Sequence, residues 1–168
     1  MSKKEKADYY REYDLFHCRK YKSQKPEAAH QTETIKKLKE WFNSKEFPSG
    51  AIVALPTGSG KTFTAVRFLC KYVLAKNYKV LWLAHTHHLL EQAFYSFGPL
   101  SEKLDDGYEV GWIPEPREHL NVRIVSGTEN HFNVNQIKPE DDVLIATLQS
   151  IANANKTSSS GLIWFTLK

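Results

Sequence analysis

The sequence has few cysteines and no apolar run of membrane-spanning length. Cys18 and Cys70 are its only cysteines, and they are too far apart for a metal-ligand spacing, so we expect reduced thiols. The N-terminus, MSKKEKADYYREYD, lacks the apolar core of a signal peptide, and no run approaches the about 20 residues of a membrane helix. These absences predict a cytoplasmic protein with no membrane partner.

The chain also lacks a strong charge of one sign and any internal repeat. The 23 Lys and Arg residues exceed the 19 Asp and Glu residues by 4, which permits nucleic-acid contact without demonstrating it. Its 168 residues, 41% of them hydrophobic, are enough for one globular domain with its own core.

Short apolar runs alternate with segments of helical periodicity. Four runs read as buried strands, at 51–55, 79–84, 121–125 and 142–147. Helices are predicted after Pro26, where Ile35, Leu38 and Phe42 share one face, and over 62–76, 86–97 and from 147 onward. This order predicts an α/β fold, a parallel sheet flanked by helices, with ligands at the carboxyl ends of the strands.

Three regions follow from the composition. Residues 1–25 form a leader, which is either a short amphipathic helix carrying Tyr9, Tyr13 and Phe16 or a solvated, partly disordered segment. Residues 26–155 form the main domain, in which 98–120 looks like an insertion with a small hairpin around 107–113. Residues 156–168 are a linker and the beginning of a further strand or an unrelated tail.

A glycine-rich loop, 55-LPTGSGKT-62, lies between a predicted strand and a predicted helix. Gly58 and Gly60 allow positive φ, so that successive backbone N–H groups can converge on a phosphate at a helix N-terminus. Lys61 adds a point charge near the β- and γ-phosphates, and the Thr62 hydroxyl can ligate Mg²⁺. Leu55 departs from the first glycine of the general G-x-x-x-x-G-K-[ST] pattern, which leaves a chance glycine turn as the alternative. The strand and helix on either side favour a phosphate-binding loop.

Three segments, 55-LPTGSGKT-62, 79-KVLWLAHTHHLLEQA-93 and 142-DVLIATLQSI-151, resemble in order and spacing the first motifs of superfamily-two DEAD/DEAH-type helicases and translocases. The motor subunits of type I and type III restriction enzymes are the most similar, over about residues 25–151. The resemblance implies an incomplete N-terminal portion of a RecA-like P-loop domain. It also implies ATP and Mg²⁺ as cofactors, single- or double-stranded DNA as a partner, and modification or specificity subunits as further partners.

The resemblance also implies roles for individual residues. In this family the first motif holds ATP and Mg²⁺, here through Lys61 and Thr62 together with Pro56, Thr57, Gly58, Ser59 and Gly60. The segment 26-PEAAHQ-31 is similar to an adenine-recognition motif and makes Gln31 the candidate for the adenine edge. A glutamine that merely decorates a helix is the alternative for that position.

The second and third motifs imply nucleic-acid contacts. The segment 86-THHLLEQ-92 resembles T-R-E-L-x-x-Q, so that Thr86 and Gln92 match while His87 replaces an arginine and weakens a phosphate contact. The third motif resembles T-x-Q-S-L and supplies Thr147, Gln149 and Ser150 at a helix start.

The histidines in 85-HTHH-88 could instead suggest a metal site. His85, His87 and His88 span a strand end and a helix start, and the sequence offers no clear fourth ligand. We therefore expect surface or backbone-contacting histidines.

An apolar run ending in Asp-Glu, which would hold the Mg²⁺ shell and orient water for hydrolysis, is absent. Asp141 and Asp142 precede their predicted strand, and 161-GLIWF-165 continues into Thr-Leu-Lys. The resemblance would place a D-E-x-H segment near the end of this chain, so the chain is either an N-terminal fragment of a larger motor subunit or a truncated gene product. We expect it to bind nucleotide weakly and not to hydrolyse it efficiently.

These observations favour the ATP-binding portion of an ATP-dependent DNA helicase or translocase, without the second motor domain. A non-catalytic nucleotide- or DNA-binding fragment is the main alternative. A P-loop kinase is a third interpretation, but it needs an arginine-rich lid, and 99–118 offers only Arg117. DNA-stimulated ATPase activity would distinguish a motor from both.

Overall fold

The computed structural model describes residues 9–44, 50–99 and 107–157, with side chains described as far as residue 153. Four strands lie within these ranges: β1 (Tyr10–Asp14), β2 (Val80–Ala84), β3 (His119–Val125) and β4 (Val143–Thr147). The α-helices are α1 (Leu15–Lys20), α2 (Ala29–Asn43), α3 (Lys61–Phe68), α4 (His87–Tyr95) and α5 (Leu148–Thr157). Shorter helical turns lie at Leu69–Val73, which is a π-helix continuing α3, and at the 3₁₀ segments Leu74–Lys76, Glu109–Trp112 and Val134–Gln136.

The four strands form one sheet in the order β1-β3-β4-β2. The pairs β2–β4 and β3–β4 are parallel, whereas β1 lies antiparallel to β3 at one edge. The predicted α/β fold with a mostly parallel sheet is therefore confirmed. Because Ala84 pairs with Thr147 and Val125 with Ala146, the three parallel strands end at the same edge of the sheet.

The main core lies on one face of the sheet, under α4 and the helical segment that begins with α3. Alternating strand residues point into it, since successive side chains on a strand face opposite sides. Its fully buried members include Leu120, Val122 and Ile124 of β3, Ile145 of β4, and Leu90 and Phe94 of α4. This packing holds α4 against the sheet next to the end of β2.

A second apolar cluster joins α2 to α3. Ile35 packs with Phe68 and Val73, and Leu38 and Phe42 lie against the same cluster, so the predicted apolar face of α2 is confirmed. The contact anchors α2 on the helix that follows the glycine loop and brings the N-terminus of α2 close to that loop.

The prediction of a buried strand at 51–55 is wrong. The segment forms no strand, and Ile52 and Val53 are 98% and 43% exposed. An apolar run becomes a parallel strand only when neighbouring strands satisfy its backbone N–H and C=O groups. Within the described ranges no strand pairs with 51–55.

Both interpretations of the leader also need correction for residues 9–25. Residues 10–14 pair with β3 as a strand, and Asp14 then caps α1 by accepting a hydrogen bond from the Phe16 amide at 2.9 Å. Tyr13 is buried whereas Phe16 is 76% exposed, so the helical spacing of the aromatic residues does not reflect one shared face.

The expected hairpin around 107–113 is a single 3₁₀ turn, Glu109–Trp112. Tyr108 forms an isolated bridge with Lys22, and no strand lies within residues 107–113. Helix α5 continues to Thr157, past the expected linker boundary at 156. The strand predicted within 156–168 lies outside the described residues. Residues 100–106 of the predicted insertion lie outside them as well. No helix in the described ranges is long and apolar enough to span a membrane.

Candidate nucleotide-binding loop and helix-start edge

The glycine loop turns directly into α3. Gly58 and Gly60 have φ of 79° and 78°, in the left-handed region that glycine adopts readily, and Gly60 is the residue before the first helical position. No hydrogen-bond acceptor in the described part of the chain engages the backbone amides of Gly58, Gly60, Lys61 or Thr62. Four donors at a helix N-terminus are thus available to an anion.

Lys61 and Ser59 stabilise the loop through hydrogen bonds to its own carbonyl oxygens. Lys61 Nζ donates to the carbonyl oxygens of Leu55 and Pro56, each at 2.9 Å, and Ser59 Oγ donates to Pro56 O at 2.7 Å. The ammonium group is exposed, so an incoming phosphate can replace either carbonyl as its partner.

The side chain of Gln31 is hydrogen-bonded to the glycine loop. Its Nε2 donates to Ser59 O at 2.9 Å, while its Oε1 accepts from the Ala28 amide at 2.9 Å at the start of α2. His30 Nε2 lies 3.0 Å from the same Ser59 oxygen. Both ends of the Gln31 amide are therefore engaged, and its role toward an adenine edge stays a prediction.

The residues of the loop suit the phosphates of a nucleoside triphosphate better than they suit the complete set of ligands of a metal ion. The Thr62 hydroxyl lies at the first turn of α3 and has no hydrogen-bond partner within the described ranges, as suits an Mg²⁺ ligand. Asp141 and Asp142 are engaged elsewhere: Asp141 Oδ2 accepts from Arg123 Nε at 2.7 Å, and Asp142 Oδ2 accepts from the Asn121 amide at 2.8 Å. These two carboxylates precede β4, at the opposite end from the strands' carboxyl edge.

The predicted nucleic-acid residues gather at the carboxyl edge of the sheet. Thr86 precedes α4 and is exposed, and Thr147 ends β4 beside Ala84. Thr147 Oγ1 accepts from the Ser150 amide at 3.1 Å and so caps α5, and it lies 2.7 Å from Ser150 Oγ. Gln92 and Gln149 are exposed.

The sequence analysis missed a polar cluster beside this edge. Thr128 Oγ1 lies 2.8 Å from His87 Nδ1, and Ser126 Oγ lies 2.7 Å from the buried His131 Nδ1. Burial lowers the pKa of His131, and nearby Glu91 only partly opposes the shift. The signal was present in the sequence, since 126-SGTENH-131 directly follows the third predicted strand.

Comparison with known protein families identifies the family of this chain. Residues 24–163, most of the chain, match the family described as type III restriction enzyme, res subunit. The chain belongs to this family. It is accordingly a helicase-like, ATP-binding motor domain of the restriction-enzyme kind. Searches of curated proteins and of solved structures give no significant match.

A second feature that sequence reasoning missed supports α3 in this res-subunit domain. Arg67 is 2% exposed and donates to both carboxylate oxygens of Glu109, at 2.6 and 2.9 Å, and to Glu27 Oε1 at 3.1 Å. Lys71 donates to the same Glu27 oxygen at 2.7 Å. This buried network ties the helix of the glycine loop to the 3₁₀ turn and to the segment before α2.

The two groups of predicted site residues remain separate in the res-subunit domain. Within the described ranges no hydrogen bond links the loop 56–62 to the edge carrying Thr86 and Thr147. No group of three His, Cys, Asp or Glu side chains able to hold a metal ion occurs among these residues either. The loop 56–62 and the edge carrying Thr86 and Thr147 are therefore considered as two candidate surfaces.

Proposed function

We propose that the chain is the ATP-binding portion of a superfamily-two, ATP-dependent DNA helicase or translocase. The observation that carries the proposal is the loop 56–62, with two left-handed glycines and unpaired amides at the start of α3. Family membership supports it, because a phosphate-binding loop alone serves many enzyme classes.

The geometry of the loop supports a proposed role for each of its residues. The amides of Gly58, Gly60, Lys61 and Thr62 hold the phosphates, and the Lys61 ammonium exchanges its two loop carbonyls for phosphate oxygens. The Thr62 hydroxyl ligates Mg²⁺, whose charge, when the ion is bound, offsets that of the phosphates. Gln31 keeps the Ser59 carbonyl turned away from the anion.

The second surface is proposed to hold DNA, single- or double-stranded. The exposed residues Thr86, His87, Gln92 and Gln149 lie at or near the carboxyl edge where α4 and α5 begin, and helix N-termini favour backbone phosphates. Modification or specificity subunits are proposed as protein partners, and the cytoplasm as the location.

This chain alone is proposed to bind ATP without efficient hydrolysis. Asp141 and Asp142 serve structural contacts at the other end of the sheet, so neither can hold the metal shell. This observation also favours the alternative of a non-catalytic nucleotide- or DNA-binding fragment. The kinase alternative loses support, since Arg117 donates to Leu74 O at 2.9 Å and pairs with Asp142 instead of extending from a lid.

Nucleotide binding is tested with a fluorescent ATP analogue and the full chain. Lys61→Ala is expected to weaken affinity on the order of tenfold or more, because it removes a charge that contacts two phosphate groups. Lys36→Ala, an exposed lysine on α2, is the matched control and should bind like the unaltered chain. Equal affinity in both variants, with circular dichroism spectra unchanged, would contradict the assignment.

ATP turnover with and without DNA separates the motor from the binding module. For the chain by itself we expect no DNA-stimulated release of phosphate. A motor subunit that contains this domain together with an Asp-Glu pair at a strand end should show such stimulation, and Lys61→Ala should abolish it.

A further inference from the structure

The loop after β3 is organised around Ser126. The Thr128 amide donates to Ser126 Oγ at 3.1 Å, and the two hydroxyl oxygens of Ser126 and Thr128 are also 3.1 Å apart. Ser126 Oγ lies 2.7 Å from His131 Nδ1. The turn from 126 to 131 is thereby closed on itself by the His131 ring.

His131 lies in a closed environment to which three elements contribute. It is 1% exposed, and its Nε2 is 3.5 Å from Glu91 Oε1 on α4. Tyr9, just before β1, packs edge-on against the ring at a centroid distance of 4.4 Å and donates to Glu91 Oε1 at 3.1 Å. His87 is the other titratable neighbour, at a ring distance of 5.7 Å.

The cluster reaches the surface through Thr128. Thr128 Oγ1 is 2.8 Å from Nδ1 and 3.1 Å from Nε2 of the exposed His87, the first residue of α4. A continuous series of hydrogen-bonding atoms thus runs from buried His131 through Ser126 and Thr128 to His87. None of the three residues behind His87 needs to touch a ligand to influence it.

We propose that His131 is a positioning residue that, when neutral, holds the 126–131 turn so that Thr128 orients His87 toward the DNA backbone. The proposal rests on the proposed function, in which His87 belongs to the DNA surface. Orientation matters at this position because an imidazole has only one or two donors, unlike a guanidinium, and a misplaced ring cannot compensate through a second contact.

Protonation of His131 disrupts this arrangement. In the neutral tautomer that carries its proton on Nε2, toward Glu91, Nδ1 is the acceptor that faces Ser126 Oγ; protonation makes Nδ1 a donor and places a charge in a buried site beside His87. Of the neighbouring groups, Glu91 favours the charged ring, while burial and His87 oppose it, and together they lower the pKa of His131. Because the folded pKa lies below the ordinary value of about 6.5, the closed turn is fully stable above that pH and weakens as pH falls toward the folded pKa.

The test measures binding of a fluorescein-labelled oligo(dT) strand by anisotropy at about pH 7.5 and about pH 5.5. His131→Asn keeps a hydrogen-bonding atom near the Nδ1 position but does not titrate, whereas His131→Ala removes the contact. At the higher pH, His131→Ala is expected to weaken binding on the order of fivefold, and His131→Asn to restore it. As the pH is lowered, the affinity of the unaltered chain should fall relative to that of His131→Asn, which has no titratable side chain at position 131.

A second measurement is independent of DNA. The ring protons of His87, followed by NMR against pH, should show an inflection that comes from His131 and is absent in His131→Asn. Absence of that inflection in the unaltered chain, or the same pH dependence of binding in both proteins, would overturn the positioning role alone. If oligo(dT) binds to neither protein at either pH, the proposed DNA surface fails, and the positioning role fails with it.

Discussion

The side-chain Nε2 of Gln31 lies 2.9 Å from the carbonyl oxygen of Ser59, at the middle of the glycine loop. Because Gln31 Oε1 simultaneously accepts from the Ala28 amide, one side chain fixes the first turn of α2 and the loop together. The loop therefore depends on a residue 28 positions earlier in the chain.

Gln31→Ala should loosen the loop. It removes one hydrogen bond to Ser59 O and one from the Ala28 amide, so we expect a loss of about 1–2 kcal/mol in the free energy of unfolding. Affinity for a fluorescent ATP analogue should fall as well, since the loop amides lose their fixed direction. Urea denaturation and a binding titration measure the two effects. Gln92→Ala, an exposed glutamine on α4, should change neither, and matching results for the two variants would contradict the role of Gln31.

Gly60→Ala should be more disruptive than Gly58→Ala. Both positions have positive φ, which costs a non-glycine residue about 1–2 kcal/mol. A Cβ at Gly60 would in addition lie 2.5 Å from Gln31 Nε2, whereas a Cβ at Gly58 would meet nothing within 4 Å. In thermal unfolding, the melting temperature of Gly60→Ala should therefore be lower than that of Gly58→Ala.

The added effect at position 60 can be separated by combining variants. If Gln31 causes the clash, Gly60→Ala should cost less in a chain that already carries Gln31→Ala. The prediction fails if the cost of Gly60→Ala is the same in both backgrounds.

Glu109→Gln should destabilise the domain strongly. It removes the carboxylate that accepts from two nitrogens of the buried Arg67 guanidinium and leaves Glu27 as its remaining charged partner, and removal of one member of a buried pair typically costs about 3–5 kcal/mol. Replacing both residues, as in Arg67→Met with Glu109→Leu, should cost less because both charges of the pair are removed and Glu27 stays paired with Lys71. Urea denaturation measures all three proteins. Lys37→Met, which breaks the exposed pair with Glu33, is the control and should leave the midpoint unchanged.

Cys18 and Cys70 should be unreactive in the folded chain. Both are buried, and burial raises the pKa of the Cys18 thiol to about 12 and that of Cys70 further still. Since the thiolate is the reactive form, iodoacetamide at about pH 8 should label the native protein only slowly and the urea-unfolded protein rapidly. Rapid labelling of either cysteine without denaturant would show that the core around α1 or after α3 opens readily.

Local patterns predicted most elements correctly because the residues that specify them are close in sequence. The apolar face of α2 with Ile35 follows from helical periodicity, and the strands at 121–125 and 142–147 follow from short apolar runs bounded by turn residues. The glycine loop was also recognisable, since positive φ at Gly58 and Gly60 is a property of those residues themselves.

Failures occurred where the outcome depends on distant partners. Residues 51–55 have the composition of a buried strand, yet no described strand supplies the backbone hydrogen bonds that would make them one. Residues 10–14 became a strand because the edge of β3 was available to pair with them, although their aromatic spacing suggested a helix. Neither partner can be read from the local sequence.

The sequence by itself determined the loop 56–62, the alternation of strands and helices, and through them the family of this chain. Only the tertiary structure decided that Gln31 engages the loop, that Arg67 lies in a buried ion-pair network, and that His131 lies behind His87. The physical reason is the distance along the sequence over which each feature is encoded. Backbone conformation and amphipathicity depend on a few neighbouring residues, whereas hydrogen bonds and the burial of polar groups depend on residues that only the folded chain brings together.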